Sequence, residues 1–477
     1  MSHDEVVGVG LDLGTGSARA LAAAGDGTVV GRGSRPLRSR RDGDRHEQDP
    51  ATWWHAVAGA CRDALRDVAP ERIRGVATCA TSGTILLTDR DGRPLTMALM
   101  YDDARAGEQA RRLALPHSWA LPKLLWLLEH EPGAAAAAGV RLAHQPDVVT
   151  RRLTGHAVAS DASHALKTGY DPARARWPAT VADALRTNAS VLPDVVAPGT
   201  RLGAVCAAAA AQTGLPPGTP LIAGMTDGCA AQIAAGALQP GDWNAVLGTT
   251  LVLKGCSHDR IDDPVRGVYS HRSPGNGWLP GGASSSGAGV LPAAFPGRDL
   301  DELGRLATAH ERTHVLAYPL VSPGERFPFV AADAEAFMLG EPDGDGEHAA
   351  ALMQGVALVE RLCFAQLDRL GAPTGGELSL TGGATRNRAW CQLRADALGR
   401  AVRLPEQAES AFGMAILATA SAGDEPVADV AARMSRTRAV IEPRAVMRAH
   451  LDEQYGRFVA ELERRGWLAP AGADPAA

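Results

Sequence analysis

Asp12, Thr15 and Ser17 stand close together in VVGVGLDLGTGSARALAAA, Val6 to Ala24. Val7, Val9, Leu11 and Leu13 alternate with Gly8, Gly10 and Asp12, the period of a strand with two different faces. Gly14-Thr15-Gly16 can take positive φ and let a ligand approach the backbone. Ser17 and Arg19 alternate with Ala18 and Ala20 on a returning strand, so the glycines close a hairpin. Backbone N–H groups and the Thr15 and Ser17 hydroxyls of such a turn can cradle phosphate oxygens. Asp12, at the strand's end, suits a hydrated Mg²⁺, which takes a carboxylate with waters and phosphates. The same residues also fit an ordinary hairpin with a solvated aspartate. A P-loop is excluded, because the turn has no lysine and no helix follows it.

Further along, GMTDG brings Asp227 to the start of a helix running from Cys229 to Gly236. It is either a helix N-cap or a general base kept ionised by the helix N-terminus. Trp243 to Lys254, WNAVLGTTLVLK, repeats the strand, Gly-Thr turn and strand of the opening. Two such hairpins suggest an internal duplication with a phosphate turn in each half. Leu378 to Ala384 adds a strand and a glycine loop before a helix carrying Trp390, Leu393 and Ala397 on one face. Thr81-Ser82-Gly83-Thr84 is a polar break between apolar runs, which often places side chains in a cleft. Tyr101-Asp102-Asp103-Ala104-Arg105 closes another short strand. It reads as a local ion pair or as a grip on the hydroxyls of a polyol.

The positioning elements are legible from period and caps. Trp53, Trp54, Val57, Cys61 and Leu65 mark a helix buried on one face, with Asp49 as N-cap and Pro50 as first residue. Ile73 to Cys79 is a buried strand, and His144 to Gly155 a helix closed by a glycine. Lys123 to Leu128 reads as an amphipathic helix with Trp126 in the core. Ala350 to Leu370 is a long helix and Ser410 to Gly423 a glycine- and alanine-rich one. Gly31 to Pro50, with its arginines, reads as an exposed loop.

The 477 residues, 45% hydrophobic, allow two or three domains with substantial cores. The net charge of −6 carries no basic nucleic-acid footprint, so an anion must be held by local groups. The seven cysteines are scattered, with no C-x-x-C, which argues against a metal or redox cluster and for a reducing cytosol. No signal peptide and no uninterrupted membrane-length apolar run is read, so the expected location is cytoplasmic, with no membrane partner.

Taken in order, these motifs resemble the FGGY carbohydrate kinases. The resemblance rests on GLDLGTGSAR at Gly10 to Arg19, HEQDP at His46 to Pro50 and YDDAR at Tyr101 to Arg105. It continues in GMTDGCAAQIAAG at Gly224 to Gly236, LGTT at Leu247 to Thr250, LTGGATRNRAWCQLRAD at Leu380 to Asp396 and ESAFGMAILA at Glu409 to Ala418. It implies an α/β, two-domain fold of the actin, Hsp70 and sugar-kinase (ribonuclease H-like) type with an interdomain active-site cleft. The domains would be 1–224 for sugar and phosphate, 225–467 for nucleotide, opening near the catalytic aspartate, and 468–477 a frayed tail.

The resemblance further implies that ATP phosphates meet Gly14, Thr15, Gly16 and Ser17 together with Gly248 and Thr249. Adenosine would lie near Gly382, Gly383, Ala384 and Asn387. Asp12 matches the magnesium-associated aspartate and Asp227 the base that takes the sugar proton. Asp12, Ser82, Tyr101, Asp102 and Asp227 are the expected sugar contacts. Xylulose kinases of the family carry Met-His where this chain has Thr81-Ser82-Gly83-Thr84, and Trp-Asn-Asp where it has Tyr101-Asp102-Asp103. TSGTILL, SDASHALKTGYDP, GVYSH, WLPGGAS and PGERFP resemble the D-ribulose kinase subgroup of cyanobacteria and plastids. The expected reaction is ATP- and Mg²⁺-dependent phosphorylation of D-ribulose to D-ribulose 5-phosphate by a monomer or homodimer. The alternatives are a D-xylulose or other ketose or polyol kinase, a non-catalytic sugar- or nucleotide-binding regulator, and an actin-like filament former.

Overall fold

The computed structural model describes residues 5–470, the side chains of residues 187 and 188 excepted. The chain forms two compact units. Unit 1 runs to Gly236 and takes back His271–Asn276 and Gln407–Arg436, while unit 2 holds Ala237–Ser270, Gly277–Glu406 and the residues from Thr437 onward. The division at 224/225 read from the sequence therefore moves to Gly236/Ala237, and the helix that starts at Asp227 belongs with unit 1. Of the expected tail, residues 471–477 lie outside the described residues. Leu468 is instead buried in the core of unit 2.

In unit 1 the strands of the two larger sheets are β1 (Val7–Leu13), β2 (Ser17–Ala24), β3 (Val29–Pro36), β4 (Arg40–Asp42), β5 (Arg45–Gln48), β6 (Ile73–Ala80), β7 (Ile85–Thr88), β8 (Ala98–Leu99), β9 (Arg141–His144), β10 (Arg201–Ala204) and β11 (Pro220–Ile222). The main sheet runs β10-β11-β6-β1-β2-β3, and β4-β5-β8-β7-β9 form a second sheet. The two faces of β1 explain its composition. Val7, Val9, Leu11 and Leu13 join Trp53, Val57 and Cys61 of the Pro50–Ala64 helix in one core. On the other face the Ser410–Ala422 helix lies against the glycines. A Cβ at Gly8 would sit 2.2 Å from Thr419 Oγ1, and one at Gly10 1.8 Å from the Ala411 carbonyl. Gly413 plays the same part toward the Ala230 carbonyl.

The caps follow the sequence reading. Asp49 accepts from Ala51 N at 2.9 Å ahead of Pro50, and Gly155 closes the Gln145–Thr154 helix at φ 84°. Two readings are corrected. Residues 31–50 are largely β3 and the β4–β5 hairpin rather than an open loop, because the meander continues, with Arg32, Arg38, Arg40, Arg41 and Arg45 among its exposed side chains. Trp126 is half-buried rather than core, stacked on His130 at 4.6 Å with the Arg105 guanidinium 4.6 Å from its ring.

Unit 2 repeats the plan. Six strands of its largest sheet are β12 (Trp243–Leu247), β13 (Leu251–Gly255), β14 (Trp278–Ala283), β15 (Leu378–Thr381), β16 (Val402–Pro405) and β17 (Thr437–Ile441), which lie in the order β14-β13-β12-β15-β16-β17. β12 is antiparallel to β13 and parallel to β15, as β1 is antiparallel to β2 and parallel to β6. In each unit the hairpin comes first and a parallel strand joins its first member, the arrangement expected of a duplication. The Gly344–Arg369 helix is long and apolar enough to cross a bilayer, but 89% of its apolar window is buried inside the protein.

Candidate active site

In unit 1 the polar residues collect at one end of the sheet, outside the carboxyl ends of parallel strands. That is where open α/β sheets place ligands. Asp12 pairs with Arg19 across the hairpin and with Cys79 on β6. One strand further, Ala80 bridges to Thr226, so Asp227 follows directly at the same end. Asp12 is 4% exposed, with Oδ2 3.2 Å from Arg19 Nη1 and Oδ1 3.6 Å from Cys79 Sγ. Burial pushes its pKa up to about 6, Arg19 opposes that, and the charge of Asp227 adds to it.

Asp227 is the first residue of its helix, not its N-cap, a position held by Thr226. It is half-buried, and its Oδ1 accepts from Gly228 N at 2.7 Å. Burial raises its pKa, against the Gly228 N–H and the positive charges of Lys167 and His164. His164 has acceptors at both ring nitrogens, Asp161 Oδ2 at 2.7 Å and the Ala80 carbonyl at 3.2 Å. Burial lowers its pKa, but Asp161 more than offsets this and holds the imidazole toward its charged form. Sequence reasoning missed Lys167 and His164. Both sit in SDASHALKTGY, whose one signal was polarity between helices.

Ser82 follows β6, in the break that Thr81 anchors by donating from N and Oγ1 to Gln145 Oε1 at 3.2 and 2.7 Å. Lys167 Nζ lies 3.4 Å from the Ser82 carbonyl, and the Ser82 hydroxyl is buried with no partner among the described residues. Gly83 is at φ +97°, where a Cβ would come 2.7 Å from the Ser118 carbonyl. Lys123 is fully buried and donates to the Met100 and Tyr101 carbonyls at 2.9 and 3.0 Å. Burial first, and then Lys167, lower its pKa to about 7.

Tyr101 and Asp102 lie in the turn after β8, and Tyr101 is 38% exposed. Both Asp102 oxygens are engaged, by Arg41 and by the His46 ring. Burial alone would raise the Asp102 pKa, but these partners hold it below the usual range. Asp103 is fully buried and accepts from His46 N and from Arg105, which also pairs with Glu47 at 2.7 Å. HEQDP and YDDAR therefore lock each other, and the ion-pair reading of the second motif is the one the geometry shows.

The glycines of the two turns separate by what stands where their side chains would be. A Cβ at Gly16 would meet nothing within 4 Å, and the nearest atom at Gly14 is 3.4 Å away. Neither glycine has positive φ, so what the turn requires is space rather than a left-handed backbone. Gly14 N donates to the Ser17 carbonyl, while no described group accepts from Thr15 N or Gly16 N. Gln48 Nε2 holds the Thr15 carbonyl at 2.7 Å. Ser17 opens β2.

In unit 2 the corresponding turn has the same form. Gly248 N donates to the Thr250 carbonyl, Thr249 N and Thr250 N have no described acceptor, and the atom nearest a Cβ at Gly248 is 3.9 Å away. Gly383 is similarly open. Gly382 is different, since its φ is +89° and a Cβ would strike the Leu247 carbonyl at 2.5 Å, so its lack of a side chain serves packing. Ala384 is packed on the core, and Asn387 Oδ1 caps the following helix at Trp390 N, 3.0 Å away.

Each unit thus offers a turn of free N–H groups, and unit 1 adds a pair of carboxylates at strand ends. Those are the parts of a phosphotransferase of the two-unit α/β type. The sequence matches the FGGY family of carbohydrate kinases, its N-terminal domain over residues 7–234 and its C-terminal domain over 244–422. The chain belongs to that family and is a sugar kinase. It is 31% identical over 460 residues to a xylulose kinase of Streptomyces coelicolor, covering 89% of this chain and 90% of the relative. An autoinducer-2 kinase of Yersinia enterocolitica is 28% identical over 459 residues, covering 87% and 86%. The crystal structure of a xylulose kinase from Rhodospirillum rubrum matches with a TM-score of 0.87 at 27% identity, covering 96% of this chain and 99% of that one.

Proposed function

We propose that this kinase transfers the terminal phosphoryl group of ATP to the terminal hydroxyl of a ketopentose, D-ribulose. The observation that supports this best is Asp227, a half-buried carboxylate with one backbone donor and two neighbouring cations. As general base it takes the sugar hydroxyl proton while the sugar oxygen bonds to phosphorus and the bond to the ADP oxygen breaks. Lys167 and His164 favour its ionised form before the transfer. The free N–H groups of Thr15, Gly16, Thr249 and Thr250 suit phosphate oxygens, with Gly383, Ala384 and Asn387 on the nucleoside side. A non-catalytic regulator would have no use for a base held ready in this way.

The donor set fits magnesium. Among the described residues no cluster of three His, Cys, Asp or Glu side chains could cage a metal. Asp12 offers hard carboxylate oxygens beside a second negative charge, which suits an ion otherwise held by water and phosphates. When bound, that ion neutralises charge developing on the phosphates.

For the sugar, the buried unpartnered Ser82 hydroxyl favours D-ribulose, since it stands where xylulose kinases of the family place Met-His. Asp12 and Asp227 complete the contacts, with Tyr101 at the rim and Asp102 more distant in role. D-Xylulose is the second reading, favoured by the names of the relatives. An ADP-release assay over ketoses, aldoses and polyols decides between them. We expect a higher kcat/KM for D-ribulose than for D-xylulose, L-ribulose or glycerol. The opposite order of the two pentuloses establishes the xylulose reading.

A further inference from the structure

Unit 2 contains a buried carboxylate that the reaction does not use. Glu325 is 2% exposed, and no described cation lies within ion-pair distance of it. Its charge is met by neutral donors instead. Oε2 accepts from Ser284 Oγ at 2.9 Å and Tyr318 Oη at 2.8 Å, and Oε1 from Ser285 N at 2.6 Å and Arg326 N at 2.8 Å. Phe327 N adds a longer contact at 3.4 Å. A carboxylate buried without a counter-ion is costly unless every lone pair is satisfied, and removing it strands all its donors.

The donors from Ser284 and Ser285 lead to the phosphate turn. Ser284 N donates to the Leu251 carbonyl, and Leu251 N to the Ser286 carbonyl at 2.8 Å. Ser286 N in turn rests on Ser284 Oγ at 3.0 Å. Ala288 N then donates to the Gly248 carbonyl at 2.9 Å, and Gly289 N to the Thr249 carbonyl at 3.1 Å. The fit is tight enough to require glycine, since a Cβ at Gly287 would lie 2.4 Å from the Thr249 carbonyl and one at Gly289 2.8 Å from Thr249 Cγ2. The carbonyl side of the turn is thus clamped from behind. Its N–H groups at Thr249 and Thr250 have no acceptor among the described residues.

We infer that Glu325 is a positioning residue for the nucleotide: through Ser284–Gly289 it fixes the Gly248–Thr249 backbone so that its N–H groups face the phosphates. This rests on the reading of that turn as a phosphate site. Moving a donor by about 1 Å is enough to cost on the order of 10²-fold. Shortening the anchor by one methylene is therefore the informative change. Glutamine keeps the length, accepts from the same N–H groups and donates to the two hydroxyls, so it serves as the rescue.

The test uses the full chain. Glu325→Asp, Glu325→Gln, Glu325→Ala and Gly248→Val, whose side chain would fill the open space over the turn, are compared for Mg·ADP affinity by calorimetry, for KM of ATP and sugar, and for melting temperature. We expect Glu325→Asp to weaken Mg·ADP binding and raise the ATP KM roughly tenfold or more, with the sugar KM within about twofold. Glu325→Gln should recover most of the loss. If Gly248→Val weakens nucleotide binding and Glu325→Asp lowers only the melting temperature, Glu325 is structural and the inference fails. Should Gly248→Val leave nucleotide binding unchanged, the phosphate-turn reading itself is wrong. Where Glu325→Ala does not fold, the aspartate and glutamine variants still decide.

Discussion

As the proposed base, Asp227 has to stay ionised while half out of water, and the groups around it favour that from different elements. Gly228 N comes from its own helix, and His164 and Lys167 from the segment before Tyr170. Because burial still leaves its pKa raised, the acid limb of kcat/KM should lie above the ordinary carboxylate value, with activity lost as pH falls through it. Lys167→Met should move that limb to higher pH, and Asp227→Asn should lower kcat by about 10²–10⁴ on the plateau above it. Linkage gives an independent check. A pKa raised by folding means that stability is lost as pH rises from the unfolded value through the folded one. The unliganded Asp227→Asn protein should therefore melt no lower than wild type at pH 8, and a large drop would leave Asp227 a structural residue. Ser82→Ala tests the sugar side. It should lower kcat/KM for the sugar while the ATP KM stays nearly constant, and a change confined to ATP would remove Ser82 from the sugar site.

At the scale of elements, glycine spacing carries two different meanings. Gly8 and Gly10 on β1 exist for the Ser410–Ala422 helix, whereas Gly14 and Gly16 in the next turn leave open space. Gly10→Ala should then cost about 1–3 kcal/mol or more, as overpacking against a backbone carbonyl does. Gly16→Val should leave the melting temperature within a few degrees but raise the ATP KM. Equal effects of both changes on stability would show that the turn is packed rather than open. The same logic applies to Gln48, which ties the Thr15 carbonyl to the HEQDP strand and to Trp53 Nε1 at 2.7 Å.

For the whole molecule, the order of the chain and the make-up of its compact units differ. The family boundary near residue 240 suggests an N-terminal piece that could be cut free, but unit 1 includes Gln407–Arg436. Without that segment the glycine face of β1 and the Ala230 end of the Asp227 helix lose their cover. A fragment of residues 1–240 should be molten or aggregated, and the same fragment fused to 407–436 should give a cooperative melt. Cooperative unfolding of the short fragment, followed by calorimetry, would contradict this division.

Period and capping chemistry alone determined much of this protein. The alternation of β1, the Asp49-Pro50 helix start, the Gly155 stop and the repeated Gly-Thr hairpin are local properties, set by neighbours within a few residues. They were enough to indicate the duplicated plan, and with the family motifs they put forward Asp12, Ser82 and Asp227 as candidates. What the tertiary structure decided concerns partners distant in sequence. Only the fold shows that Asp102 and Asp103 are taken by Arg41, His46 and Arg105, and that Lys167 reaches the Ser82 carbonyl. It also assigns the Gly8 and Gly10 gaps to a helix some 400 residues away and sets Glu325 behind the Gly248 turn. The physical reason is range. A cap or a strand period is satisfied by the residues beside it, whereas a buried charge or a missing Cβ is explained by whatever the chain brings back from elsewhere.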